Sequence, residues 1–133
     1  MSSEIIITIL SEADIVLARQ KGRALGAQVG FSSSELTVIA TALSEVARNI
    51  VVYAKRGGII LRTIQRNNRS GIEIIARDEG PGIPDISKAL EDGYSTSKGL
   101  GLGLPGAKRL MDEFDIVSQV GKGTTITMRK WVK

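Results

Sequence analysis

The segment SSSELTVIATALSEVARNIVVYA, residues 32–54, decides the fold. Its apolar residues recur every three or four positions, which places them on one side of an α-helix. One of the serines is suited to cap the start of this helix, and Gly57-Gly58 is suited to end it. We therefore expect a long core helix through Ala54. Its buried stripe comprises Leu36, Ile39, Leu43, Val46 and Ile50.

Two polar residues of this helix, Glu45 and Asn49, lie four positions apart and share one face. At about 100° per residue they fall beside Ala42 at the border of the apolar stripe. A carboxylate and an amide at that border can face a cleft while the helix stays anchored. The alternative interpretation is that the glutamate is solvated and the asparagine lies on the helix surface. Asparagine is a mediocre helix former, so its place within a helix suggests a function.

The flanking sequence predicts the other elements of a single domain, residues 1–133. A β-branched run at 4–10 indicates a strand, and Ser11 with Asp14 resembles a capping box that opens a helix ending near Gly30. A hairpin, a long glycine-rich loop, a third helix and two further strands follow. Their expected bounds are 59–66 and 72–77 around Asn67–Gly71, then 79–103, 105–114, 116–120 and 125–131. This order predicts an α/β two-layer sandwich, with a mixed, mostly antiparallel sheet and helices on one face.

The composition excludes several kinds of chemistry. The 133 residues include no cysteine and no histidine, so there is no disulfide, thiolate nucleophile, imidazole base or Cys/His zinc site. Any catalysis must use carboxylates, amides, hydroxyls, lysine, arginine or a bound ligand. The apolar run Ile5–Leu10 is too short to span a membrane, and we expect a cytoplasmic protein with no membrane association.

The charge distribution indicates an anionic ligand or partner. The net charge is +4, but five aromatic residues offer little for stacking on bases, so we expect no nucleic-acid binding. Six cationic residues and no acidic one lie between Val46 and Ile72, whereas five acidic residues and one lysine lie between Asp78 and Asp92. A basic middle segment beside an acidic loop fits such a ligand or partner better than a DNA-binding stripe.

Three glycine-containing motifs follow the long helix. Asp78-Glu79-Gly80-Pro81-Gly82 ends an apolar strand, where an aspartate can accept a hydrogen bond from an exocyclic amine; a plain turn uses the same residues. Gly99-Leu100-Gly101-Leu102-Gly103 leads into a helix and exposes backbone N–H groups suited to an anion, the alternative being a flexible structural loop. Gly121-Lys122-Gly123-Thr124 alone predicts a β-turn.

Together, the order and spacing of these motifs resemble the N, G1, G2 and G3 boxes of the GHKL ATP-binding superfamily. The resemblance covers nearly the whole chain and implies the Bergerat fold, with a lid at about residues 83–104. It implies that Asn49 ligates Mg²⁺, that Asp78 binds the adenine amino group and that Thr124 supports the adenine site. It also implies that Gly80 and Gly82 belong to the same nucleotide site. The backbone of Gly99, Gly101, Leu102 and Gly103 would cover the phosphates of ATP.

Within that superfamily the chain resembles the anti-sigma-factor serine/threonine protein kinases, and most closely the stressosome switch kinases. The absence of histidine excludes an autophosphorylating histidine kinase. The resemblance implies phosphorylation of STAS-domain proteins, an RsbS-like antagonist and an RsbR-like scaffold, with Glu45 as the base for the attacking hydroxyl. The released kinase would then activate an RsbU-like PP2C-type phosphatase in the general stress response. A non-catalytic ATP-binding docking module is the alternative.

Overall fold

The computed structural model describes residues 4–54, 56–82 and 103–133, which form five strands and three helices. In chain order they are β1 Glu4–Ile9, α1 Glu12–Val29, α2 Ser33–Asn49, β2 Gly57–Arg66, β3 Arg69–Asp78, α3 Gly103–Leu110, β4 Glu113–Gln119 and β5 Gly123–Trp131.

The sheet has the strand order β1-β2-β3-β5-β4. Every pair of neighbouring strands in the described residues is antiparallel, so the prediction of a mixed sheet is sharpened to an antiparallel one. Alternate residues of β2, β3 and β5 bury their side chains in the core with α1 and α2, as in the expected sandwich.

Close packing of α1 against α2 depends on two glycines of α1. A Cβ on Gly22 would lie 2.1 Å from Leu43 Cδ1, and one on Gly26 would lie 2.7 Å from Leu36 Cδ2.

The predicted stripe of α2 lies in or against the core. By length and composition the stretch Ser33–Ala54 could span a membrane, but half of its most apolar window is buried inside the domain.

The long helix ends earlier than predicted. Regular α-helix stops at Asn49, and a single π-helical turn, Ile50–Ala54, continues the chain. This wider turn lies where another backbone segment approaches, since a Cβ on Gly80 would lie 2.6 Å from Ala54 Cβ. Such turns are frequent at functional sites.

Several other boundaries also differ from the prediction. The hairpin turn is only Asn67-Asn68, both with positive φ, and residues 69–71 already pair with β2. Asparagine tolerates the left-handed conformation that a two-residue hairpin turn requires. The third helix ends at Leu110 rather than 114, because Asp112 accepts a hydrogen bond from the Trp131 N–H at 2.8 Å and the chain pairs with β5 from Glu113 onward.

The opposite face of the sheet carries a row of ion pairs that crosses all five strands. Glu73, which is only 7% exposed, lies between Arg62 at 3.3 Å and Arg129 at 2.7 Å. The row continues to Glu4 at one edge, and at the other edge to Glu113, which also pairs with Arg66. Two cations of the basic middle segment, Arg62 and Arg66, therefore pair with acidic residues of this same chain. The prediction that the whole basic segment faces an anionic ligand or partner is wrong for these two residues.

Acid is expected to weaken the part of this network around Glu113. A hydrogen bond from the Trp131 indole, together with those from Arg129 and Arg66, holds the pKa of Glu113 below its usual 4.5 despite partial desolvation. Because the native pKa is lowered, the stabilisation is present above pH 4.5 and lost as pH falls through the native value. We expect Glu113→Gln to lower the free energy of unfolding at pH 7 and to change it less at pH 3, as measured by urea denaturation. The exposed Glu12→Gln is the control; an equal loss for Glu113→Gln at both pH values contradicts the prediction.

Candidate functional site

The candidate site lies at the end of the sheet where β3 meets its two neighbours. Asp78 pairs with Gly57 of β2 on one side and with Thr124 of β5 on the other. The Oδ1 atom of Asp78 accepts hydrogen bonds from the N–H of Gly80 at 2.9 Å and of Thr124 at 3.3 Å. In the part of the chain that the structure describes, no hydrogen bond is made to Oδ2. The carboxylate is thus fixed through one oxygen, and the other can accept a hydrogen bond from a ligand.

Glycines allow the loops around Asp78 to approach closely. Gly82 has φ +81°, and a Cβ there would lie 2.5 Å from the Gln119 carbonyl oxygen. Gly123 has φ +124°, and its Cβ would lie 2.1 Å from the Asp78 carbonyl oxygen. The Gly121 N–H donates to the Pro81 carbonyl at 2.9 Å. The segments at 78–82 and 121–124, separate in sequence, form one structure.

Thr124 is buried at 5% exposure and is held at two points. Its N–H donates to Asp78, and its Oγ1 lies 2.8 Å from Ser118 Oγ on the edge strand β4. Ser118 Oγ also donates to the Gly123 carbonyl at 3.2 Å. Sequence analysis missed Ser118, because nothing in its local sequence marks it; only the register that pairs it with Thr124 does.

The side chain of Glu45, a residue of α2, lies against the start of α3. Its carboxylate is only 8% exposed, and Oε1 accepts a hydrogen bond from the Gly103 N–H at 2.9 Å. The Arg48 guanidinium lies 3.7 Å from Oε2. The alternative of a solvated glutamate is therefore wrong, and a predicted base and a predicted phosphate-loop residue, 58 positions apart, are in direct contact.

Asn49 lies at the last position of α2, one turn after Glu45, and is half-buried. No hydrogen bond within the described residues engages its side-chain amide, so the amide oxygen can ligate a cation. The described residues contain no group of three acidic side chains that could hold a metal by themselves. This donor set fits Mg²⁺, which is commonly bound by few protein oxygens together with substrate phosphates and water.

The remaining predicted residues, Gly99, Gly101 and Leu102, lie outside the described residues, as does the predicted lid except for Gly103 and Leu104.

The structure also adds Gly57 to the site. A Cβ on Gly57 would lie 2.5 Å from the Arg77 carbonyl oxygen and 3.1 Å from Asp78 Cβ. In the sequence this glycine indicated only the end of a helix.

Comparisons with known proteins identify several relatives of this chain. Residues 10–130 match the histidine kinase-like ATPase domain family. The chain is 50% identical over 133 residues, the full length of both proteins, to the serine/threonine-protein kinase RsbT of Bacillus subtilis. It is 35% identical to the anti-sigma F factor of Caldanaerobacter subterraneus, over 86% of this chain and 83% of that protein.

Two solved structures share the fold at low sequence identity. One contains the RsbU and RsbW domains of a Mycobacterium tuberculosis protein, with a TM-score of 0.65 and 20% identity over 98% of this chain and 32% of that one. The other is the SiaB–SiaC complex from Pseudomonas aeruginosa, with a TM-score of 0.52 and 14% identity over 98% of this chain and 89% of that one.

Proposed function

The chain belongs to the histidine kinase-like ATPase family and, within it, to the serine/threonine protein kinases; on this premise we propose which residues perform the phosphoryl transfer and on which partners they act. The observation that carries the proposal is the buried Glu45 carboxylate in contact with the first residue of α3, one helical turn from Asn49. A carboxylate beside Asn49 can serve as a base, which a module that only binds nucleotide does not need.

Asp78 and Thr124 bind the adenine end of ATP. The Asp78 oxygen left without a partner among the described residues accepts a hydrogen bond from the exocyclic amine of the base. The glycines at 57, 80 and 123 leave out the side chains that would fill this corner of the sheet. The family and the kinase relative support ATP as the nucleotide.

Asn49 would hold Mg²⁺ together with the phosphates of ATP; residues 99–102, which the family resemblance assigns to those phosphates, lie outside the described residues. When bound, the metal would supply neutralisation of the charge on the transferring phosphoryl group. Arg48 lies beside Glu45 on the same helix and completes a cluster of opposite charges around the position of transfer.

Glu45 accepts the proton of the attacking hydroxyl. A serine or threonine oxygen of the partner forms a bond to the γ-phosphorus, the bond from that phosphorus to the bridging oxygen breaks, and ADP leaves. Each carboxylate oxygen has two lone-pair sites, so Oε1 can bind the Gly103 N–H and still accept a proton. Positioning and charge stabilisation supply most of the rate in such transfers.

The protein substrates are STAS-domain proteins, an RsbS-like antagonist and an RsbR-like scaffold. Their phosphorylation releases the kinase, which then binds and activates an RsbU-like PP2C-type phosphatase in the cytoplasm. The full-length similarity to RsbT supports this assignment.

Incubation with labelled ATP, Mg²⁺ and a purified RsbS-like STAS protein tests the proposal. We expect phosphoserine or phosphothreonine on the STAS protein, and none when a variant lacking its hydroxyl acceptors is used. Binding of ATP and of the STAS protein without any transfer would favour the alternative function, a non-catalytic docking module.

A further inference from the structure

We infer that the guanidinium of Arg48 binds the γ-phosphoryl group of ATP and thereby distinguishes ATP from ADP. This inference rests on the proposed function, in which Glu45 accepts the proton of the hydroxyl that attacks the γ-phosphorus. Arg48 lies between Glu45 and Asn49 in the sequence of α2, and its guanidinium is beside the Glu45 carboxylate.

The N–H groups of Arg48 are available to a ligand. Its Nη1 atom lies 3.7 Å from Glu45 Oε2, an ion pair that is longer than a hydrogen bond. Within the described residues, no hydrogen bond engages any N–H donor of this guanidinium. Arg62 and Arg129, by contrast, donate to carboxylates at 3.0 and 2.7 Å. Because the Arg48 side chain is 34% exposed, a ligand can reach those donors from solvent.

The other described arginines of the basic middle segment lie elsewhere. Arg62 and Arg66 pair with acidic residues on the opposite face of the sheet. Arg69 begins β3, at the end of that strand far from the candidate site. Arg56 directly precedes β2, at the corner assigned to the base. Arg48 is therefore the described arginine of this segment that lies beside the proposed catalytic carboxylate.

The proposed reaction brings the γ-phosphoryl group close to the same carboxylate. A general base lies within about 2.6–3.2 Å of the oxygen whose proton it accepts. In a near-attack geometry that oxygen is about 3–3.5 Å from the phosphorus. The γ-phosphorus thus lies within roughly 7 Å of a Glu45 oxygen, and the Arg48 guanidinium lies 3.7 Å from one. Both groups flank one carboxylate.

The charges at this position favour an arginine. The Glu45 carboxylate and the γ-phosphate are both negative and repel each other over such a distance. A guanidinium beside them offsets this repulsion, and its planar fork can donate to two phosphoryl oxygens at once. ADP has no γ-phosphoryl group. We therefore expect Arg48 to add affinity for ATP and none for ADP, so that the contact is lost once the phosphoryl group has been transferred.

Calorimetry with ATP and with ADP, each with Mg²⁺, tests the inference on the full chain. For Arg48→Met, which keeps a long side chain without the charge, we expect the ATP/ADP affinity ratio to fall about tenfold while ADP affinity stays at the wild-type value. This is the low end of the range for a hydrogen bond to a charged group, because Arg48 is partly exposed. Arg48→Lys keeps the charge without the fork and should give a smaller fall.

Two further variants separate this contact from other effects. Arg69→Met removes the same charge far from the site and should leave both affinities unchanged. In a Glu45→Gln background, Arg48→Met should lower the ATP/ADP ratio by at least the same factor, because the contact with the phosphoryl group does not require the carboxylate. If the effect of Arg48→Met disappears in that background, Arg48 acts only through Glu45 and the inference is wrong.

Two other results would overturn the inference: an unchanged ATP/ADP ratio in Arg48→Met, or an equal loss of affinity for both nucleotides, which indicates a purely structural role. Transfer by the wild type separates this failure from failure of the proposed function. If the wild type phosphorylates the STAS protein and Arg48→Met leaves the ratio unchanged, only the role of Arg48 is wrong. If the wild type binds ATP and the STAS protein but transfers no phosphate, the proposed function is wrong whatever the ratio.

Discussion

Glu45→Gln is expected to lower phosphoryl transfer by about 10²- to 10⁴-fold, the usual contribution of a general base, while ATP binding stays near wild type. The substitution is selective because a glutamine oxygen can still accept the hydrogen bond that the Gly103 N–H gives to Glu45. The substitution removes the basicity of the side chain and the charge that faces Arg48. Single-turnover transfer to an RsbS-like STAS protein at saturating ATP measures the effect.

Glu35→Gln is the matched control on the same helix. Glu35 accepts a hydrogen bond from the Ser32 N–H at 2.9 Å, and glutamine supports the same capping box. We expect this control to transfer phosphate at the wild-type rate. A wild-type rate for Glu45→Gln as well would remove Glu45 from the chemistry and leave it as the residue that binds the start of α3.

Asp78→Asn is expected to weaken ATP binding by about 10- to 100-fold, the range for a hydrogen bond to a charged group. The structure predicts how the new amide lies. The N–H groups of Gly80 and Thr124 both point at Oδ1, so the amide oxygen takes that place and the NH₂ group takes the place of Oδ2. A donor then faces the donating amine of adenine. Calorimetry measures the loss.

Asp115→Asn makes the same change of charge on the exposed side of β4 and should leave ATP affinity unchanged. Equal ATP affinity in wild type and Asp78→Asn would contradict the placement of the base at this corner. An equal loss in both variants would point to net charge instead.

Local patterns in the sequence were enough to predict the order of elements. Apolar spacing in 32–54 and capping residues such as Ser32 act over a few positions, and both are found as expected. The π-turn at Ile50–Ala54 escaped prediction because its sequence continues the apolar pattern of the helix. Its position coincides with the approach of Gly80, which only the folded chain brings near.

In the candidate site, too, individual residues could be predicted from the sequence, whereas their contacts with distant residues could not. Glu45, Asp78 and Thr124 were predicted by a family resemblance, but the contact of Glu45 with Gly103 joins residues 58 positions apart. Arg62 was interpreted as part of a ligand-binding segment because Glu4 and Glu73, which pair with it, are far away in sequence. Contacts set by strand register, like that of Ser118 with Thr124, cannot be read from local sequence.

The most direct test measures the initial rate of phosphate transfer to the STAS protein as a function of ATP concentration, for wild type, Glu45→Gln and Asp78→Asn. We predict that the two variants separate. Glu45→Gln should have a lowered maximal rate with little change in the ATP dependence, and Asp78→Asn should need more ATP but approach the wild-type maximum. If both variants lose maximal rate and ATP dependence in parallel, the division of the site into a base-binding corner and a catalytic carboxylate is contradicted.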